Sequence, residues 1–93
     1  MNNNIELEEL VKEMVDTKKD REKNLILYND PVNTFDHVIF CLTVTCGHTP
    51  LQAEQCATIA HYNGKCVVKQ GTYLQLEEMK YKLEDKNLTV EIK

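Results

Sequence analysis

The chain has no tryptophan, no long apolar run, no basic excess and no paired cysteine motif, and these absences narrow the classes of function open to it. A membrane span needs roughly 18 consecutive apolar residues, and no stretch of the 93 comes near that. The segment after the first methionine, Asn2 to Glu9, is polar and acidic, unlike the apolar middle of a secretory leader, so a cytoplasmic location is expected. Eleven basic residues stand against fifteen acidic ones, with Lys and Glu interspersed. No concentrated positive face can form to drive counterion release, so neither DNA nor RNA is expected as a partner. Internal repeats and an inter-domain linker are also missing, which leaves one small domain, expected to be monomeric, with a modest core.

What is present is a chain with 42% hydrophobic residues, enough for a globular unit. Its four cysteines, Cys41, Cys46, Cys56 and Cys66, sit among apolar neighbours. In a chain without an export signal they read as reduced packing residues rather than as two disulfides. Two groupings tempt a zinc assignment, Cys41 with Cys46 and His48, and Cys56 with His61 and Cys66. Residues five apart on a helix diverge by about 140°, and no Cys-x-x-Cys pair anchors either group, so no metal and no cofactor are expected. A Cys–His nucleophile pair lacks a recognisable oxyanion-hole signature and a third orienting group, so no catalytic residue is assigned.

Along the chain, Met1 to Lys23 is dense in Glu, Asp and Lys and reads as a flexible charged extension, with Leu10, Val11, Met14 and Val15 at the spacing of a short transient helix. The ordered domain is expected over residues 24–93. A strand from Asn24 to Tyr28 is ended by Asn29-Asp30-Pro31, since proline removes a ladder donor and Asn and Asp favour turns. Val38 to Thr45 is β-branched and strand-like by propensity, yet Phe35, Val38, Ile39, Leu42 and Cys46 recur at helical spacing. Asn33 or Thr34 as N-cap and Gly47 just past the end favour the helix. Thr49-Pro50-Leu51-Gln52 is a capping box that opens a second helix, running to about Tyr62. Asn63-Gly64 turns into a short strand, Lys65 to Lys69. Gly71-Thr72 then starts a third helix with Leu76, Met79 and Leu83 on one face, and Leu88 to Ile92 alternates as the last strand. The predicted order is β-α-α-β-α-β, an α+β two-layer domain with three helices on a small three-stranded antiparallel sheet.

The most informative pair of segments is Asn29-Asp30, at the exit of the first strand, and His61, near the end of the second helix. Asn, Asp and neutral His all carry acceptors, and together they suit a compact cation with several donors, such as a free ammonium. That combination favours binding over bond cleavage.

Leu27-Tyr28-Asn29-Asp30 leaving a first strand, followed later by Ala60-His61-Tyr62-Asn63-Gly64-Lys65 ending a second helix, resembles the ClpS adaptors of the bacterial Clp protease, whose fold is related to the C-terminal domain of the ribosomal stalk protein. The resemblance covers roughly Leu25 to Ile92. It implies a non-catalytic adaptor that captures N-degrons, proteins with Leu, Phe, Tyr or Trp at a free N-terminus, and hands them to a ClpA- or ClpC-like AAA+ ATPase for proteolysis. By match of position, Asn29, Asp30 and His61 would hold the α-amino group and first peptide unit. Phe35, Val38, Ala57, Ala60 and Leu88 would fall at the side-chain pocket, and the charged extension would serve delivery. An imidazole that accepts a hydrogen bond loses that capacity on protonation, so binding is expected to weaken in mildly acidic buffer.

Departures from the family pattern are Pro31 where a second Asp is common, Asn33-Thr34 in place of Thr-Pro, a shorter third helix with Leu74 and Met79 at often charged positions, and Ala57 where a larger apolar residue is frequent. The smaller Ala57 implies a wider pocket that Phe35 partly refills. The alternative is a protein-interaction module of the same fold that does not read N-termini.

Overall fold

The computed structural model describes residues 21–93 and, ahead of them, Leu7. The proposed tail helix around Leu10 to Val15 lies outside the described residues, as does nearly all of the charged extension.

The elements follow the expected order: β1 (Lys23–Tyr28), α1 (Phe35–Cys46), α2 (Pro50–Asn63), β2 (Lys65–Gly71), α3 (Tyr73–Asp85) and β3 (Val90–Ile92). The sheet is antiparallel throughout, with β1 between its partners in the order β2-β1-β3. Residues 21–93 thus form the α+β unit of three helices and three strands that the hydrophobic pattern predicts.

The ambiguous segment is a helix, and its ends explain why. Thr34 Oγ1 accepts His37 N–H at 3.1 Å, and Gly47, at φ 69°, caps the far end with its N–H on the Leu42 carbonyl. A left-handed residue there costs glycine nothing, whereas a β-branched residue would be strained. Inside the helix Thr43 returns its hydroxyl to the Ile39 carbonyl at 2.8 Å, which satisfies a side chain that would otherwise compete with the backbone. Helices α2 and α3 both begin with complete capping boxes, Thr49 with Gln52 and Thr72 with Gln75. The second of these obeys the same rule as the first and was there to be read in the sequence.

The boundaries differ modestly from expectation. Strand β1 starts one residue earlier, β2 runs on to Gly71, and β3 starts at Val90 rather than Leu88. Leu88 and Thr89 instead belong to the turn that leaves α3, where Asn87 adopts φ 69°, a conformation Asn tolerates better than most residues. Between Leu25 and Ile26 the β1–β2 register slips, so that Val68 has no Cα partner. Its carbonyl is met instead by His48 Nε2 at 2.6 Å, and because a carbonyl only accepts, that nitrogen carries the proton.

The core contains no aromatic ring. Leu25 and Leu27 from β1, Cys66 and Val68 from β2 and Val90 from β3 meet Cys41, Leu42, Cys46, Ala53, Ala60, Leu76, Leu83 and Leu88. Met79 packs against this cluster from α3, whereas Leu74 stays exposed. Three of the four cysteines are therefore packing residues, with Cys56 half-buried, and all four are free thiols. Burial in apolar surroundings pushes the Cys46 thiol up to about 11 and Cys66 up to about 12, because a thiolate there would be poorly solvated.

Candidate functional site

A cavity of about 420 Å³ opens where β1 ends, between the N-terminus of α1, the C-terminal half of α2 and the turn into β3. Two backbone bonds place its polar rim. Asn29 N–H donates to the Gly64 carbonyl at 2.8 Å, and Tyr28 N–H donates to the Thr89 carbonyl at 2.9 Å. The first joins the Asn-Asp corner to the residue that caps α2, one turn beyond His61. Gly64 takes φ 91° with its N–H on Ala60, so a side chain at this position would strain the turn that brings the two segments together.

All eight residues singled out in the sequence line this cavity: Asn29, Asp30 and His61 with Phe35, Val38, Ala57, Ala60 and Leu88. Ala57, Ala60 and Leu88 are buried, and Val38 is partly buried against the core, so the floor is apolar and continuous with the protein interior. The small side chains at 57 and 60 lie on one face of α2, three residues apart. Phe35 is 41% exposed and meets the His61 ring edge-on, centroids 6.3 Å apart, so it supports the imidazole as well as walling the cavity. His61 also meets Tyr62 in the same T-shaped manner, centroids 4.8 Å apart. Two perpendicular ring contacts restrict the imidazole more than an exposed position on a helix normally would.

Asp30 is half-buried, and its two oxygens are engaged by different partners. Oδ1 accepts Val32 N–H at 2.8 Å in a local Asx-type turn, and Oδ2 accepts the Thr89 hydroxyl at 3.3 Å. Each carboxylate oxygen has two acceptor positions, so capacity for a cationic donor remains on both. The turn carrying Pro31 is thus held by Asp30 itself, and Asn33 closes it against the opposite wall by donating from Nδ2 to the Asn87 carbonyl at 2.8 Å.

Asn33, Thr89, Leu27, Tyr28 and Pro31 also line the cavity and were not predicted as site residues. Tyr28 and Pro31 flank the Asn-Asp pair and could have been included on position alone. Thr89 carries no local signal, since only the pairing of β1 with β3 sets it beside Asp30. Neither cysteine–histidine grouping assembles a site: among the described residues no three His, Cys, Asp or Glu side chains converge as metal ligands. Nor is any helix among them long and apolar enough to cross a membrane.

Comparison with known proteins gives a family match over most of the chain. The family model described as ATP-dependent Clp protease adaptor protein ClpS matches residues 18–91. Among solved structures, Agrobacterium tumefaciens ClpS2 bound to L-phenylalaninamide superposes with a TM-score of 0.74, covering 81% of this chain and 98% of that one at 16% identity. At that identity the likeness is one of fold. No curated protein matches the sequence.

Proposed function

Since the chain belongs to the ClpS family of Clp protease adaptors, we propose that its cavity captures the free α-amino group and bulky apolar first side chain of N-degron proteins, for delivery to a Clp-type AAA+ ATPase. The observation that carries this reading is the gathering of Asn29, Asp30 and His61 on the rim of a cavity whose floor is Val38, Ala57, Ala60 and Leu88. A free N-terminus presents three donors on one positive centre, and a carboxylate, an amide oxygen and an imidazole lone pair satisfy them together. A blocked or internal amide cannot present that tripod.

In this reading Asp30 makes the charge-assisted bond, Asn29 and His61 complete recognition of the amine and first peptide unit, and the apolar floor takes Leu, Phe, Tyr or Trp. Burying such a side chain contributes about 1.5–3 kcal/mol. A hydrogen bond to a charged group contributes about 1.5–3 kcal/mol as well, so neither end of the ligand dominates. Residues 24–93 would form the recognition domain, and the charged extension, residues 1–23, would act in handover to a ClpA- or ClpC-like ATPase.

The test is a titration with matched peptides beginning with Phe, the amine free or acetylated. Acetylation is expected to weaken binding by about 10- to 100-fold, the equivalent of the lost charge-assisted bond. Asp30→Ala is expected to cost a similar factor with the free peptide and to erase the difference between the two. Equal affinity of the wild-type chain for both peptides would instead favour an interaction module that does not read N-termini.

A further inference from the structure

Thr89 has no role in that amine site, yet among the described residues it is the one side chain that hydrogen-bonds to the Asp30 carboxylate. Its hydroxyl donates to Oδ2 at 3.3 Å while Val32 N–H holds Oδ1 at 2.8 Å. A carboxylate turns freely about its last bond, with a broad preference at best. One donor on each oxygen restricts that freedom.

The hydroxyl is well placed to act as a fixed point, because the turn that carries it is anchored at successive residues. Its own carbonyl accepts Tyr28 N–H at 2.9 Å, the Asn87 carbonyl accepts Asn33 Nδ2 at 2.8 Å, and the Lys86 carbonyl lies 2.8 Å from His37 Nε2. Leu88, between them, is buried in the core and lines the cavity. The turn is therefore one rigid wall of the cavity, and Thr89 is the point at which that wall grips Asp30.

We propose that Thr89 is a positioning residue for amine recognition, holding the Asp30 carboxylate in the orientation in which its free lone pairs face the cavity. This rests on the reading of the cavity as an amine site. The hydroxyl acts through Asp30 and not on the ligand, since its single proton is already committed to Oδ2. At 3.3 Å the bond is longer than the usual 2.5–3.0 Å for a hydroxyl donor, so its loss is expected to be a modest effect on affinity.

The experiment compares wild type, Thr89→Val and Thr89→Ser as full chains. Each is titrated with a peptide beginning with Phe and with a matched peptide whose first residue is replaced by 3-phenylpropionyl, which keeps the ring and lacks the amine. Valine keeps the shape and removes the donor, so T89V is expected to bind the free-amine peptide about 3- to 10-fold more weakly, a range set by the net value of one hydrogen bond. T89S restores the donor and is expected to recover the wild-type affinity within about twofold, and the amine-free peptide is expected to bind all three chains alike.

Wild-type affinity in T89V, a T89S as weak as T89V, or an equal loss with the amine-free peptide would each overturn the proposal, the last by showing that Thr89 only shapes the wall. A wild-type chain that does not discriminate the two peptides sinks the amine reading itself. Strong discrimination by wild type with no change in T89V sinks Thr89 alone.

Discussion

Two histidines, one in the turn that precedes α2 and one in its last turn, show how the same side chain is made available in one place and withdrawn in another. His61 stands exposed at the cavity with its ring steadied by Phe35 and Tyr62. His48, in the turn between the helices, gives its Nε2 proton to the carbonyl that the β2 bulge leaves free, and its Nδ1 is buried with no partner. The thiols divide in the same way: Cys46 and Cys66 are sealed in the core, whereas Cys56 is half-buried. The exposed polar groups at the cavity, Asn29 and His61 with the half-buried Asp30, are thus a separate set from His48 and the sealed thiols, which are spent inside the fold.

The sharpest way to break this division is to damage the sealed side and watch the open one. Leu83 is fully buried in α3 beneath the turn that carries Leu88 and Thr89. Leu83→Ala is expected to lower stability by about 2–5 kcal/mol, read as a fall in the urea midpoint. In a domain this small that is a large part of the total. Unchanged urea resistance would mean that the core is not the cooperative unit described here.

A smaller effect is expected from filling the cavity. Ala57→Met adds volume to the apolar floor, and the ranking among Leu-, Phe-, Tyr- and Trp-initiated peptides is expected to change by up to about tenfold, with binding retained. An unaltered ranking would show that Phe35 and not residue 57 sets the width.

The smallest effect concerns the buried thiols. Cys66 is held protonated by burial and by the neighbouring Cys56 thiol, with its pKa raised from an ordinary 9.0 to about 12. Between those values the unfolded chain loses a proton that the folded chain keeps, so this contribution to stability is complete below about pH 9 and falls as pH rises. Urea unfolding at pH 7.5 and 10.5 is expected to show a shallower alkaline loss in Cys66→Ala than in wild type. Parallel losses would assign the alkaline sensitivity to other groups.

Much of this was legible residue by residue. Thr34, Thr49, Gly47 and Gly64 mark helix ends by chemistry that acts within one turn, and Gln52 completes a capping box that needs no tertiary partner. The apolar spacing of Leu76, Met79 and Leu83 fixes the inward face of α3 in the same local manner. Val38 to Thr45 was undecidable by propensity alone, because β-branched residues favour strands while their spacing favours a helix, and the caps settled it. Thr89, His48 and Val68 could not be read at all, since each acquires its partner from a strand or turn far along the chain.

The amino-acid order alone determined the element sequence, the inward faces and the two segments that carry Asn29, Asp30 and His61, because caps, turn residues and hydrophobic period are short-range effects. Tertiary structure decided that the segments share one cavity, that Phe35 braces the imidazole and that Thr89 and Val32 hold the carboxylate between them. Those outcomes depend on strand register and on where a turn is pinned, and register is set by the whole sheet and its bulge, not by any stretch of neighbours.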